Sequence, residues 1–262
     1  MATDARELPD VDFLFRLADA ADAETLPRFR RQGAVDNKLE AAFDPVTEAD
    51  REAERAIRAV IGETYPTHAI LGEEHGAAGE GALRWVIDPI DGTRAFISGI
   101  PVWGTLIGLT VEGRARIGIM SQPFTGERFF ADGSASYRED RTGRDRNRVR
   151  ETTALEEATV FTTTPRLFQG RQRDNFEALE AKARLTRFGT DCYAFAMLAA
   201  GQVDLVVEAG LKPYDIVALI PIVEQAGGVI TTFAGGRAED GGDVIAAATP
   251  ELHRAALEIM NR

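Results

Sequence analysis

The sequence predicts an α/β (α+β) protein of layered helices and sheets, and three observations carry that prediction. Two N-terminal segments repeat apolar residues at helical spacing. Short apolar runs bounded by turn residues follow them, as strands do. Beyond residue 150, strand and helix patterns alternate, which is how helices come to cover the faces of a sheet.

Residues 11–21 put Phe13, Leu14, Leu17, Ala18 and Ala21 on one face, so a first helix is expected there, kinked or ended by Pro27. A second helix is expected over 48–63, with Ala49, Ala53, Ile57, Val60 and Ile61 on its apolar face. Thr47 is placed as its N-cap, and Asp50 three residues later completes a capping box. Strands are predicted at 69–71, 85–87, 104–111, 116–120 and 128–130. Residues 133–150 are hydrophilic and carry Arg138, Arg141, Arg144, Arg146, Arg148 and Arg150. Acids alternate with these arginines and Tyr137 alone interleaves them, the pattern of a solvated loop or edge strand and not of a nucleic-acid surface.

Composition changes at this point, so a boundary is expected near 150. Residues 1–150 would form an N-terminal α+β half and residues 151–262 a C-terminal α/β half. In the second half strands are predicted at 159–163, 203–207, 228–233 and 244–247, with helices at 175–183, at 191–200, from Pro213 and from Pro250. Pro213 in a first helical turn and Gly227-Gly228 after the helix follow the usual asymmetry of helix ends.

A chain of 262 residues buries a real core, whether as one large domain or two compact halves. The net charge of −12 argues against nucleic acid and anionic membranes as main partners, although bound divalent cations reverse the sign locally. Cys192 is the sole cysteine, which excludes an internal disulfide and fits a reducing compartment. Residues 1–10 are polar and acidic, unlike a signal or transit peptide, and no apolar run reaches membrane-spanning length. A cytoplasmic location is expected.

The most informative segment is Trp85-Val86-Ile87-Asp88-Pro89-Ile90-Asp91-Gly92-Thr93. Its apolar start reads as buried strand, and Pro89, which donates nothing to a ladder, is expected to stop the pairing. Asp88 and Asp91 would then stand at the end of a rigid element, beside a glycine whose backbone a ligand can approach. With the Ile90 carbonyl and the Thr93 hydroxyl they make a hard oxygen set that suits Mg²⁺ and neither zinc nor copper. The spacing is Asp-x-x-Asp, one residue longer than the Asp-x-Asp of haloacid-dehalogenase phosphatases. Taken alone, acid-Pro-x-acid-Gly also describes an ordinary turn.

Other acids gather at element ends. Glu73-Glu74 follow a strand through Gly72, Asp44 and Asp50 flank the start of the second helix, and Asp215 lies in the first turn after Lys212-Pro213-Tyr214. The helix dipole explains Asp50 or Asp215 singly, but not the whole accumulation. His68, His75 and His253 fall in no catalytic pattern and are expected at the surface. Cys192 lacks the Arg six residues on that a cysteine phosphatase needs, since Leu198 stands there, and it reads as a small core residue on a helix. No Gly-x-Ser-x-Gly elbow or Walker loop is present.

Gly72-Glu73-Glu74, the Asp88 to Thr93 segment, and Lys212-Pro213-Tyr214-Asp215 followed by Glu224-Gln225-Ala226-Gly227-Gly228 together resemble the inositol monophosphatase superfamily, in that family's order. The resemblance implies a layered αβαβα sandwich of the inositol monophosphatase or sugar phosphatase type. It also implies two or three Mg²⁺ ions, hydrolysis of a small phosphate monoester, and, by family habit, a homodimer. By position it implies that Glu73, Asp88 and the Ile90 carbonyl hold one metal, and Asp88, Asp91 and Asp215 a second. Thr93, partnered by Asp50, would orient the attacking water, and the amides of Gly92 and Thr93 would hold the phosphate. Glu73, Asp50 and Thr93 are therefore the catalytic candidates, and two metals make a covalent intermediate unnecessary.

Gly189-Thr190-Asp191-Cys192-Tyr193-Ala194-Phe195, the run from Gly201 to Asp215, and the run from Phe96 to Ile107 are similar to the histidinol-phosphate phosphatases of that superfamily. Asp191 and Glu208 would then add carboxylates to the pocket wall, suited to the ammonium and imidazole of L-histidinol phosphate. The alternatives are an inositol-1-phosphatase or broad sugar-phosphate phosphatase, with Asp191 merely capping the helix after it. A non-catalytic phosphate- or metal-binding relative would show a damaged ligand set, and every expected ligand is present.

Overall fold

The computed structural model describes residues 8–31, 35–37 and 45–262; Asp44 lies outside them. Helix α1 (Val11–Thr25) starts where the Asp10 carboxylate accepts the Phe13 N–H at 2.8 Å. Strands β1 (Val35–Asn37) and β2 (Pro45–Thr47) pair antiparallel, and β2 delivers Thr47 as N-cap of α2 (Glu48–Thr64). The predicted capping box is present: Asp50 accepts the Thr47 N–H at 2.8 Å, and the Thr47 hydroxyl accepts the Ala49 N–H at 3.1 Å.

A large sheet follows from β3 (Ala69–Gly72), β4 (Gly76–Ala78), β5 (Leu83–Asp91), β6 (Gly104–Val111), β7 (Arg114–Gln122), β8 (Glu127–Ala131), β9 (Ser136–Asp140) and β10 (Gly143–Arg146), with the short helix α3 (Thr93–Ile97) after β5. The spatial order is β10-β9-β8-β7-β6-β5-β3-β4, antiparallel throughout except for β3 beside β5. The Arg-rich segment forms the edge hairpin β9–β10, where Arg138 pairs with Asp140 and Asp145 and Arg144 with Glu139.

The second half contains β11 (Thr159–Thr162), α4 (Arg171–Glu180), β12 (Leu185–Phe188), α5 (Tyr193–Ala199), β13 (Leu205–Leu211), α6 (Pro213–Ile216), α7 (Leu219–Glu224), β14 (Val229–Thr232), β15 (Gly242–Ala247) and α8 (Pro250–Met260). Its strands make a mixed sheet in the order β12-β11-β13-β15-β14. Three apolar clusters define the layers. Helices α1 and α2 cover one face of the large sheet through Phe13, Leu17 and Ile57 against Trp85, Ile107 and Ile119. Its other face, with Leu106, Met120 and Phe129, packs on α5 and α7, which in turn cover Val206, Val244 and Ala246 of the second sheet. Helices α4 and α8 close the outer side over Leu205, Val207 and Ile245. The result is the αβαβα sandwich.

Two departures from the sequence expectations have a common cause in proline. Pro89 does not end β5: a bulge between Asp88 and Asp91 takes up the missing donor, and pairing resumes at Asp91 opposite Gly104. The Thr105 hydroxyl donates to the Pro89 carbonyl at 2.8 Å, which secures the bulge. The helix from Pro213 is broken into α6 and α7, because Pro221 has no N–H for Val217 and its ring crowds that carbonyl. The break lands on the large sheet where Gly108 of β6 faces Gly118 of β7. A Cβ on either would meet Ala218 backbone at 2.8 or 2.3 Å, so the glycine pair forms the notch that seats α6. Among the described residues no helix is long and apolar enough to cross a membrane.

Candidate active site

The bulge in β5 aims both aspartates at one place. Asp88 is buried and accepts the Ile90 N–H at 3.0 Å, and Asp91 accepts the Cys192 N–H at 2.6 Å. Asp215 comes from α6, held by the Lys212 N–H at 2.7 Å. Oxygens of Asp88, Asp91 and Asp215 lie within 4.8 Å of one another. Glu73, at the end of β3, lines the same cavity, and its N–H donates to the Ile87 carbonyl at 3.1 Å. Burial pushes the carboxyl groups of Asp88 and Asp91 well above the usual carboxylate range. The charges of Glu73, Asp91 and Asp215 add to this for Asp88, and those of Asp191 and Asp215 for Asp91. Such an all-oxygen set, costly to ionise in isolation, fits a hard divalent cation and is relieved by one.

Gly92 follows with φ of +84°, a left-handed conformation that leads into α3. A side chain there would also meet Asp191 and the Trp103 backbone at 3.2 Å, so glycine is required twice over. Thr93 opens α3, leaving its N–H without an acceptor inside the helix. Its hydroxyl donates to the Ile90 carbonyl at 3.1 Å. Asp50, in turn, accepts from the Thr47 hydroxyl at 2.5 Å, and no Asp50–Thr93 hydrogen bond is seen among the described residues. Asp50 is buried near Glu73, and desolvation, with the Glu73 charge adding to it, raises its carboxyl against the lowering hydrogen bonds from Thr47.

The same cavity, of about 330 Å³, is also lined by Thr163, Asp191 and Glu208. Asp191 does not cap the helix after it. Its backbone is left-handed (φ +43°), and α5 starts at Tyr193 without a side-chain cap. The Asp191 carboxylate faces the Thr163 hydroxyl at 3.4 Å instead. Glu208 is 2% exposed on β13 and accepts from the Thr163 N–H at 2.6 Å and hydroxyl at 3.1 Å, through one oxygen only. Its other oxygen, Oε2, is buried with no hydrogen-bond partner. Burial pushes the Glu208 carboxyl up to about 8, with Asp191 and Asp215 adding to the rise over the lowering bonds from Thr163. Arg94 lines the cavity too, and its charge lowers the Asp191 carboxyl against a larger desolvation that raises it.

Two histidines stand elsewhere than the sequence reading places them, while Cys192 is the small core residue expected, at the cap position of its helix. Cys192 precedes α5 and lines the cavity, with its N–H committed to Asp91. His253 is buried, with Nε2 2.9 Å from the Thr231 hydroxyl, and His68 is half-buried, taking the Trp85 indole N–H at 3.1 Å. Neither histidine lines the cavity. Thr163 was invisible in sequence, since a threonine at a strand end is ordinary.

The model of the inositol monophosphatase family matches residues 8–262. A bifunctional phosphatase IMPL2 of Arabidopsis thaliana chloroplasts is 40% identical over 92% of this chain and 72% of its own length. The histidinol-phosphatase of Streptomyces coelicolor is 37% identical over 97% of this chain and 98% of that one. Among solved structures, an inositol monophosphatase from Zymomonas mobilis superposes with a TM-score of 0.85 at 39% identity, covering 96% of this chain and 97% of the other.

Proposed function

The chain belongs to the inositol monophosphatase family and is a phosphatase, and we propose that its substrate is L-histidinol phosphate, hydrolysed to L-histidinol and phosphate with Mg²⁺. The observation that carries the substrate is the wall of Asp191 and Glu208. Two carboxylates share one threonine hydroxyl, and the buried Oε2 of Glu208 has no donor. Once both are ionised, one hydroxyl proton cannot serve them, so a cationic ligand with N–H groups, which would also draw the raised Glu208 carboxyl into its charged form, completes the wall. The ammonium and imidazole of histidinol phosphate bring them with charge, making bonds roughly twice as strong as neutral ones.

In this reading Glu73, Asp88, Asp91, Asp215 and the Ile90 carbonyl hold the cations. Bound there, Mg²⁺ supplies charge neutralisation at the phosphoryl group and acidifies water. Gly92 and Thr93 offer backbone N–H groups to the phosphate. In the same reading the Thr93 hydroxyl, which donates to the Ile90 carbonyl in this structure, would turn toward the attacking water, and Glu73, on the same cavity, or Asp50 beside it would accept the water's proton. A homodimer in the cytoplasm belongs to the same reading; a monomeric mass in sedimentation equilibrium would remove the dimer.

The Zymomonas structure favours a second reading, an inositol-1-phosphatase, whose polyol would donate hydroxyls to the same wall. The two part on kinetics. We expect L-histidinol phosphate to exceed inositol-1-phosphate in kcat/KM by about a hundredfold, roughly 2.7 kcal/mol, which one or two charge-assisted hydrogen bonds supply. Glu208→Gln and Asp191→Asn should each raise KM for histidinol phosphate while sparing a small generic ester. Equal efficiencies, or a preference for the inositol ester, would move the chain to the second reading.

A further inference from the structure

Glu54 is a fully buried acid that touches no part of the cavity. It lies one helical turn after Asp50 on α2, and its carboxylate is packed beneath the turn that carries Glu73. One oxygen accepts the Glu74 N–H at 2.7 Å; the other accepts the His75 N–H at 3.2 Å and pairs with Arg58 Nε at 2.7 Å. The Arg58 guanidinium goes on to the Gly76 carbonyl, and His75 Nε2 lies 3.1 Å from the Arg51 carbonyl. A Cβ on Gly72 would fall 1.9 Å from Glu54 Oε1, so the residue before Glu73 has to be glycine for the carboxylate to sit where it does.

A buried carboxylate carries a desolvation cost that its paired arginine and two backbone donors have to offset. What the carboxylate adds is direction. It grips the N–H groups immediately after Glu73 and ties them to the helix that bears Asp50. We propose that Glu54 is a positioning residue, which fixes the β3–β4 turn so that the Glu73 carboxylate meets a divalent cation beside Asp88. This rests on the reading of Glu73 as a metal ligand.

In Glu54→Gln the amide oxygen can still accept one N–H, but its NH₂ group opposes the other, so the turn loosens while the side-chain volume is kept. The Mg²⁺ dissociation constant, measured by calorimetry on the whole chain, should rise about tenfold, the range found when outer-shell partners of metal ligands are changed. Turnover at saturating Mg²⁺ should stay near that of wild type. Gly72→Ala, which keeps the charge of Glu54 and displaces its head, should weaken Mg²⁺ in the same direction. In metal-free protein the Glu74 and His75 amides should be protected from hydrogen exchange in wild type and lose that protection in both variants. Unchanged Mg²⁺ affinity in both variants would overturn the role of Glu54, as would losses of affinity and turnover that merely track a lowered melting temperature. A wild type that binds no Mg²⁺ would overturn the metal reading itself and this role with it, whatever the exchange result.

Discussion

At the scale of single residues, the site spends burial on charge. Asp91 is the clearest case: its carboxyl is pushed well above the usual range by desolvation and by Asp191 and Asp215, yet it is anchored by the Cys192 N–H. In Asp91→Asn the amide oxygen can keep that hydrogen bond while the charge is lost. Turnover should fall by orders of magnitude, whereas the melting temperature in chelator should equal or exceed that of wild type. Retained activity in the mutant, or in wild type under chelator, would sink the metal mechanism. Glu208 gives a pH signature. Its carboxyl titrates at about 8 when folded against 4.5 in an ordinary setting, so the folded state holds a proton that the unfolded chain releases. A raised carboxyl stabilises fully below 4.5 and loses that contribution as pH rises through about 8. The melting temperature of metal-free Glu208→Gln, relative to wild type, should therefore climb with pH across that window and level above it; a flat difference would show that Glu208 ionises freely. Asp88 and Asp91 were legible because their spacing is local and rigid, and Asp215 because the motif Lys212-Pro213-Tyr214-Asp215 carried it through the family resemblance. Thr163 and Glu54 were not, because what they touch, Glu208 or the Glu74 amide, is brought to them only by folding.

At the scale of elements, helices α1, α2 and α8 could be read from periodicity and caps, since a helix signals itself within a few turns. The edge strands β4 and β12 could not: both are short and largely exposed, so neither shows an apolar alternation. The bulge at Pro89 was half legible, as a proline whose outcome depended on a neighbouring strand, and the break before Pro221 was not read from sequence because it depends on a neighbouring sheet. That neighbour explains a remote dependence of the site. Asp215 rides on α6, and α6 is seated by the notch that Gly108 and Gly118 make under Ala218. Gly118→Ala would drive a methyl to 2.3 Å from the Ala218 carbonyl, an overpacking that costs roughly 1–3 kcal/mol and lifts α6 from the sheet. Weakened Mg²⁺ binding should accompany the lowered stability. Gly62→Ala is the matched control: it sits inside α2 with nothing within 4 Å, and it should stabilise by up to about 1 kcal/mol without touching the metal. If Gly118→Ala left both Mg²⁺ affinity and stability unchanged, the notch would not be what holds Asp215.

At the scale of the whole molecule, the change in composition near residue 150 marks the passage from one sheet to the other. It does not mark a gap in the core. Leu106, Met120 and Phe129 of the first half share a single apolar cluster with Phe195, Leu219, Ile222 and Val223 of the second. The carboxylate cluster crosses the same line, since Asp88 and Asp91 come from β5 and Asp215 from α6. We therefore propose that residues 1–150 and 151–262 form one folding unit. Expressed alone, 151–262 would keep its own sheet and the α4–α8 face but expose the side of α5 and α7 that the large sheet covers. Burial of large apolar side chains contributes roughly 1.5–3 kcal/mol each, so exposing several removes as much as a domain's whole margin of stability. The fragment should bind a hydrophobic dye, aggregate at micromolar concentration and melt without a cooperative transition, and mixing it with 1–150 should restore both cooperativity and Mg²⁺ binding. A sharp calorimetric transition with well-dispersed amide resonances from 151–262 alone would show instead that the second half is a domain in its own right.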